Sequence, residues 1–91
     1  MARIEIRRRH SLGKERAREM AERLARDLQE RLDAQYRWEG DVLRFERSGA
    51  KGQLTVGEDE VSLWIELGLV LRPMRSAIEK QIVAYLDDVL R

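Results

Sequence analysis

Four stretches of this 91-residue chain carry side chains that could do chemistry. His10-Ser11 sets an imidazole beside a hydroxyl, the components of a nucleophile and its base. Such a pair works only when the two side chains converge and a third group orients the ring. Adjacent residues project in different directions and no third group is identifiable, so His10 reads as a surface histidine beside a helix cap. Glu58-Asp59-Glu60 gathers carboxylates that would suit a hard cation. Calcium loops, however, space their ligands at alternating positions around a glycine over about twelve residues. Three consecutive acids read instead as a solvated turn. Ser48-Gly49-Ala50-Lys51-Gly52 has the glycines and lysine of a phosphate loop, but not the order G-x-x-x-x-G-K-[ST], and a strand follows where a helix should start. It reads as a hairpin loop. Arg7-Arg8-Arg9-His10, with Lys14, Arg16 and Arg18, could contact phosphates on nucleic acid or lipid, in a salt-dependent and sequence-indifferent way. No nucleic-acid motif accompanies these residues, and Tyr36, Trp38 and Phe45 share phase with the core, so no specific nucleic-acid partner is expected.

Composition narrows the chemistry further. The chain has no cysteine and one histidine, which excludes disulfides, thiolate metal sites, cysteine nucleophiles and multi-histidine metal sites. The reading therefore expects no catalytic, cofactor-binding or metal-ligating residues, no cofactor and no enzymatic activity. No run of about 18 apolar residues occurs, so no membrane span is expected. Met1-Ala2-Arg3-Ile4-Glu5 lacks the apolar core of a signal peptide, and the expected location is cytoplasmic. The net charge of +1 conceals an asymmetry: residues 1–18 carry a local +5 and the remainder −4. A basic start on an acidic body suits an anionic partner or the protein's own acidic surface.

The elements that must position these residues follow from hydrophobic periodicity. Arg3-Ile4-Glu5-Ile6-Arg7 alternates with the period of a half-buried strand. Ser11 can cap a helix over residues 12–33, on which Met20, Leu24, Leu28 and Leu32 form a stripe edged by Ala17, Ala21 and Ala25. The period then switches to two. Tyr36 and Trp38 mark one strand, Leu43 and Phe45 the next, Leu54 and Val56 a third, with Gly40-Asp41, Ser48–Gly52 and Gly57–Glu60 as turns. Val61, Leu63, Ile65, Leu67, Leu69 and Leu71 hold one face of a last strand of eleven residues. Pro73 stops it and suits the first turn of a helix whose stripe is Met74, Ile78, Ile82, Leu86 and Val89. The order β-α-β-β-β-β-α predicts one α+β domain over 1–91, in two layers. Its five-stranded antiparallel sheet has strand order 2-3-4-5-1 and both helices on one face, a reduced helix-grip-like arrangement. So small a core would be marginal alone, which makes self-association as a homodimer an expectation.

The second face of the last strand carries Ser62, Trp64, Glu66, Gly68 and Val70, placing Trp64 and Val70 on the nominally solvated side. Exposed apolar groups on a long strand suggest a contact surface, and the alternative is a Trp ring lying over arginine stems. The candidate interaction surface is therefore Trp64 and Val70 together with Arg7, Arg8 and Arg9.

Three segments taken in order carry a resemblance. They are Arg3–Arg7 through His10-Ser11-Leu12-Gly13, then Tyr36-Arg37-Trp38-Glu39-Gly40-Asp41 through Phe45-Glu46-Arg47-Ser48-Gly49, and finally Leu67-Gly68 with Leu71-Arg72-Pro73 and the Ile78/Ile82/Leu86 helix. Over nearly its whole length the chain resembles the small bacterial family called putative polyhydroxyalkanoic acid system proteins. The resemblance implies a cytoplasmic accessory protein of polyester storage granules, with the granule or its proteins as partners. It supplies no catalytic residues. Two other readings stand beside it: a binding domain for acyl chains or polyester precursors, with a cavity beneath the C-terminal helix, and a homodimeric module built through the last strand.

Overall fold

The computed structural model describes residues 2–90. The elements are β1 (Ala2–Arg9), α1 (Lys14–Leu32), β2 (Gln35–Glu39), β3 (Val42–Arg47), β4 (Ala50–Val56), β5 (Glu60–Leu67), a 3-10 turn (Arg72–Met74) and α2 (Arg75–Val89). The strands form one antiparallel sheet in the order β1-β5-β4-β3-β2, as the sequence predicts. Alternation is the cause. Ile4 and Ile6, Leu43 and Phe45, Leu54 and Val56, and Val61, Leu63, Ile65 and Leu67 are all buried on one face. Ala17, Met20, Ala21 and Ala25 of α1, with Ile82 and Leu86 of α2, join them in one core. The alanines let α1 approach closely over β2, β3 and β4, while α2 lies chiefly over β1. Both helices thus share the inner face, as the sequence predicts.

Three boundaries differ from expectation. Ser11 does not cap α1: it is exposed, and the helix begins at Lys14 after Gly13, whose φ of +81° turns the chain into the helix without a side-chain cap. The Ser48–Gly52 loop contracts to a tight turn at Ser48-Gly49, and Ala50, Lys51 and Gly52 lie in β4. The last strand stops at Leu67, not Leu71. The Gly68 N–H donates to the Gly49 carbonyl at 2.8 Å, and the Leu71 and Arg72 N–H groups both donate to the Gly68 carbonyl, closing a turn before Pro73. Leu69 is consequently 78% exposed instead of facing the core, and Val70 sits in this turn instead of on the outer sheet face.

Gly52 fills a packing role. A Cβ built there would clash with the Trp64 carbonyl and lie 2.9 Å from Phe45 Cε2, so Phe45 packs over a backbone that only glycine leaves clear.

Candidate functional site

The register lays the outer sheet face out in rows. One row runs Gln35, Glu46, Lys51, Glu66, Arg3 and the next Arg37, Arg44, Gln53, Trp64, Glu5. Trp64 is half-buried, and the Arg3 guanidinium lies 4.8 Å from its ring centroid. This is the arginine-covered Trp weighed above. Charges around it pair within the face: Arg3 with Glu5 and Glu66, at 3.3 Å each, and Arg37 and Arg44 both with Glu39. A shallow cleft of about 310 Å³ lies between Trp64, Gln53, Lys51, Arg44 and Arg37. A second, more open cleft lies at the start of α1, between Leu12, Arg16 and Glu58. Neither is under α2, where the ligand reading places its cavity. β5 is interior, flanked by β1 and β4, so of the last strand only the outer face around Trp64 is open to a second copy.

The basic segment does not form one patch. Strand alternation sends Arg7 and Arg9 to the outer face and Arg8 to the helix face. Arg8 Nε donates to Asp87 of α2 at 2.9 Å, and Arg9 reaches Asp59 at 3.4 Å. Lys14 and Arg18 converge on Asp41 at 2.9 and 3.1 Å. The hydrogen bond from Lys14 holds the Asp41 carboxyl below its ordinary value. The protein's own acids therefore take up much of the N-terminal charge.

His10 is buried, which corrects the surface reading. Its Nδ1 accepts from the Leu12 N–H and its Nε2 lies 3.2 Å from the Gly57 carbonyl, an arrangement that suits the neutral ring protonated on Nε2. It ties the β1–α1 loop to the β4–β5 turn and has no nucleophile beside it. Glu58 and Asp59 are exposed in that turn, and no group of three or more potential metal ligands occurs among the described residues. The tight Ser48-Gly49 turn packs against the turn after β5, with Leu71 Cδ1 3.6 Å from the position of a Gly49 Cβ.

Sequence reasoning missed two features. The first is a polar clamp between α1 and β2. Tyr36 Oη and Trp38 Nε1 donate to the two Glu22 oxygens at 2.6 and 2.8 Å, and Arg26 Nε donates to the same carboxylate at 3.0 Å. These bonds, from Tyr36 first and then Trp38, hold the Glu22 carboxyl below its ordinary value, and the bond to Glu22 raises the Tyr36 phenol. Arg18 lies 4.2 Å over the Trp38 ring. Each donor of the clamp is accounted for by its bond to Glu22, so the clamp reads as a fastening of the edge strand.

The second feature is an apolar corner. Leu69 and Val70 are 78% and 84% exposed, and Met74 is 52% exposed beside them in sequence. The turn that presents them lies at the end of the sheet where β1 and β4 begin and where β3 and β5 finish. Leu32, 43% exposed, ends α1 at this same end, because β2 starts only three residues later. Arg47, Arg72 and Arg75 belong to this end too. The signal was present in the sequence: residues 67–78 contain no acid, two arginines and a dense set of large apolar groups.

No helix of the described residues is long and apolar enough to cross a membrane. A family model described as Putative polyhydroxyalkanoic acid system protein matches residues 4–90. No curated protein and no solved structure matches the chain.

Proposed function

Because the chain belongs to the family of Putative polyhydroxyalkanoic acid system proteins, we propose that it is a non-enzymatic accessory protein of the polyester storage system that acts at the granule surface. The observation that carries this reading is the exposed Leu69-Val70 pair at the turn after β5, with Met74 next to it. Exposed apolar side chains gathered at one corner mark a contact with an apolar surface, because water gains from their removal. Two observations support the non-enzymatic reading: His10 is engaged with backbone groups on both sides, and the inward-facing strand positions are almost wholly apolar among the described residues. The setting is the cytoplasm, where such granules would meet it.

A tagged copy expressed in polymer-accumulating cells tests the proposal. Granules purified by density should carry the protein well above its level in polymer-free cells fractionated identically. Recovery of all the protein in the soluble fraction of polymer-filled cells would overturn it.

A further inference from the structure

We infer that the apolar corner docks end-on onto an apolar phase bounded by anionic headgroups, with Leu69, Val70 and Met74 inserted and Arg47 and Arg72 held at the headgroups. The inference rests on the granule-surface reading and names the chemistry of the surface.

The corner is built for such a boundary. Leu69 and Val70 project from a tight turn whose carbonyl at Gly68 is already bonded twice, by the Leu71 and Arg72 N–H groups. Turn closure lowers the cost of carrying that backbone out of water. The turn is braced by the Gly68–Gly49 hydrogen bond, so the apolar pair and Arg47, two residues before Gly49, belong to one packed unit. Pro73 follows directly and lacks an N–H to desolvate.

Charge selects the partner. Toward the other end of the sheet Arg8, Arg9, Lys14 and Arg18 have carboxylate partners within this chain, whereas Arg7 and Arg16 have none among the described residues and no exposed apolar turn beside them. Arg47 and Arg72 have none within 4 Å among the described residues; Arg47 Nε donates only to the neighbouring Ser48 carbonyl. Arg75 is engaged with Glu79 and with the Arg3 carbonyl, so it serves the fold. Two guanidiniums without carboxylates, flanking an acid-free apolar turn, call for an outside anion at the rim of an apolar phase. A second copy is a poorer occupant. Self-pairing would bring the same arginines face to face, and three apolar side chains bury far less than the roughly 1,200 Å² of a stable interface.

Flotation of the purified protein with vesicles provides the test, using phosphatidylcholine alone or with about one-third phosphatidylglycerol. The wild type should float with the anionic vesicles, lose binding at high salt, and float little with phosphatidylcholine. Each arginine at an anionic surface is worth about fivefold, so R47Q/R72Q should weaken binding about 25-fold. L69S/V70S should weaken it about 100-fold. R7Q/R9Q removes the same charge from elsewhere and should change binding less than twofold. Thermal melts should show all three variants folded, since the altered side chains lie at the surface. Equal flotation with both vesicle types, flotation with neither, or an R7Q/R9Q loss matching that of R47Q/R72Q would overturn the inference. Concentration-dependent dimerisation abolished by L69S/V70S would overturn it in favour of a second copy. Recovery on granules without anionic-vesicle binding would sink this inference and leave the granule reading standing. Vesicle binding without granule recovery would do the reverse.

Discussion

Replacing Gly52 with alanine should unfold the protein more easily, although the backbone there lies in an ordinary strand. In a strand that tolerates a side chain, Gly→Ala stabilises by about 0.4–1 kcal/mol, because the unfolded chain loses freedom. Here the new methyl meets Phe45 Cε2 and Cζ at 2.9 and 3.0 Å and clashes with the Trp64 carbonyl. The Phe45 ring can shift within the core at modest cost. The Trp64 carbonyl cannot, because it belongs to the backbone of β5, the strand hydrogen-bonded to β4, where Gly52 faces Ile65. Overpacking typically costs 1–3 kcal/mol, and a backbone clash places this site at the upper part, about 3 kcal/mol. For a domain of this size that corresponds to a fall in Tm of about 12–24 °C. Urea denaturation followed by tryptophan fluorescence and by far-UV circular dichroism would measure it, with an unchanged slope showing that only stability has moved. Phe45→Leu removes one of the two obstacles, so F45L/G52A should be about 1 kcal/mol more stable than the two single losses predict. A stabilised G52A, or a loss under about 0.5 kcal/mol, would refute the packing argument. A coupling of zero would clear Phe45 of its part in it.

Three further predictions follow from buried and clamped groups. Leu86→Ala empties a fully buried position on α2 and should cost about 2–5 kcal/mol in urea denaturation. His10→Phe keeps the ring volume but leaves the Leu12 N–H and the Gly57 carbonyl without their partner, so its midpoint should fall by about 1–3 kcal/mol. Glu22→Gln tests the clamp by its pH dependence. The folded Glu22 carboxyl is held below its ordinary value of 4.5, so its contribution is complete above that value and is lost as pH falls through the folded one. The stability advantage of wild type over E22Q should therefore be full near neutral pH and shrink on acidification below about 4.5; an advantage independent of pH would refute the assignment.

Most of the fold was legible because its elements are periodic. The alternation of Val61, Leu63 and Ile65 and the four-residue spacing of Met20 and Leu24 each suit a single secondary structure, and short turns left few ways to order the strands. The candidate site was less legible. Alternation carried through Leu69 and Leu71, so an eleven-residue strand was the natural expectation. What ended it was a long-range bond from Gly68 to Gly49, which has no local trace. The run Arg7-Arg8-Arg9 looks like one patch in sequence, yet a strand places its members on opposite faces and Arg8 meets Asp87, 79 residues away. Glu22 stands four residues before Arg26, a helical spacing that suits the ion pair it forms. Its larger role, holding Tyr36 and Trp38, depended on α1 crossing the edge strand.

The sequence by itself determined which face of every strand and helix is apolar, because burial rewards a period and the period is written in residue types. It also removed thiolate and multi-histidine chemistry by lacking the side chains. Only the tertiary structure decided which charges remain available to a partner. Pairing is a matter of distances between elements far apart in the chain: folding brings Asp41, Asp59 and Asp87 to the basic N-terminal segment and brings no carboxylate to Arg47 or Arg72 among the described residues. The charge asymmetry visible in the sequence is thus largely satisfied internally, while Arg47 and Arg72, without carboxylate partners among the described residues, stand beside the exposed apolar corner at the opposite end of the sheet.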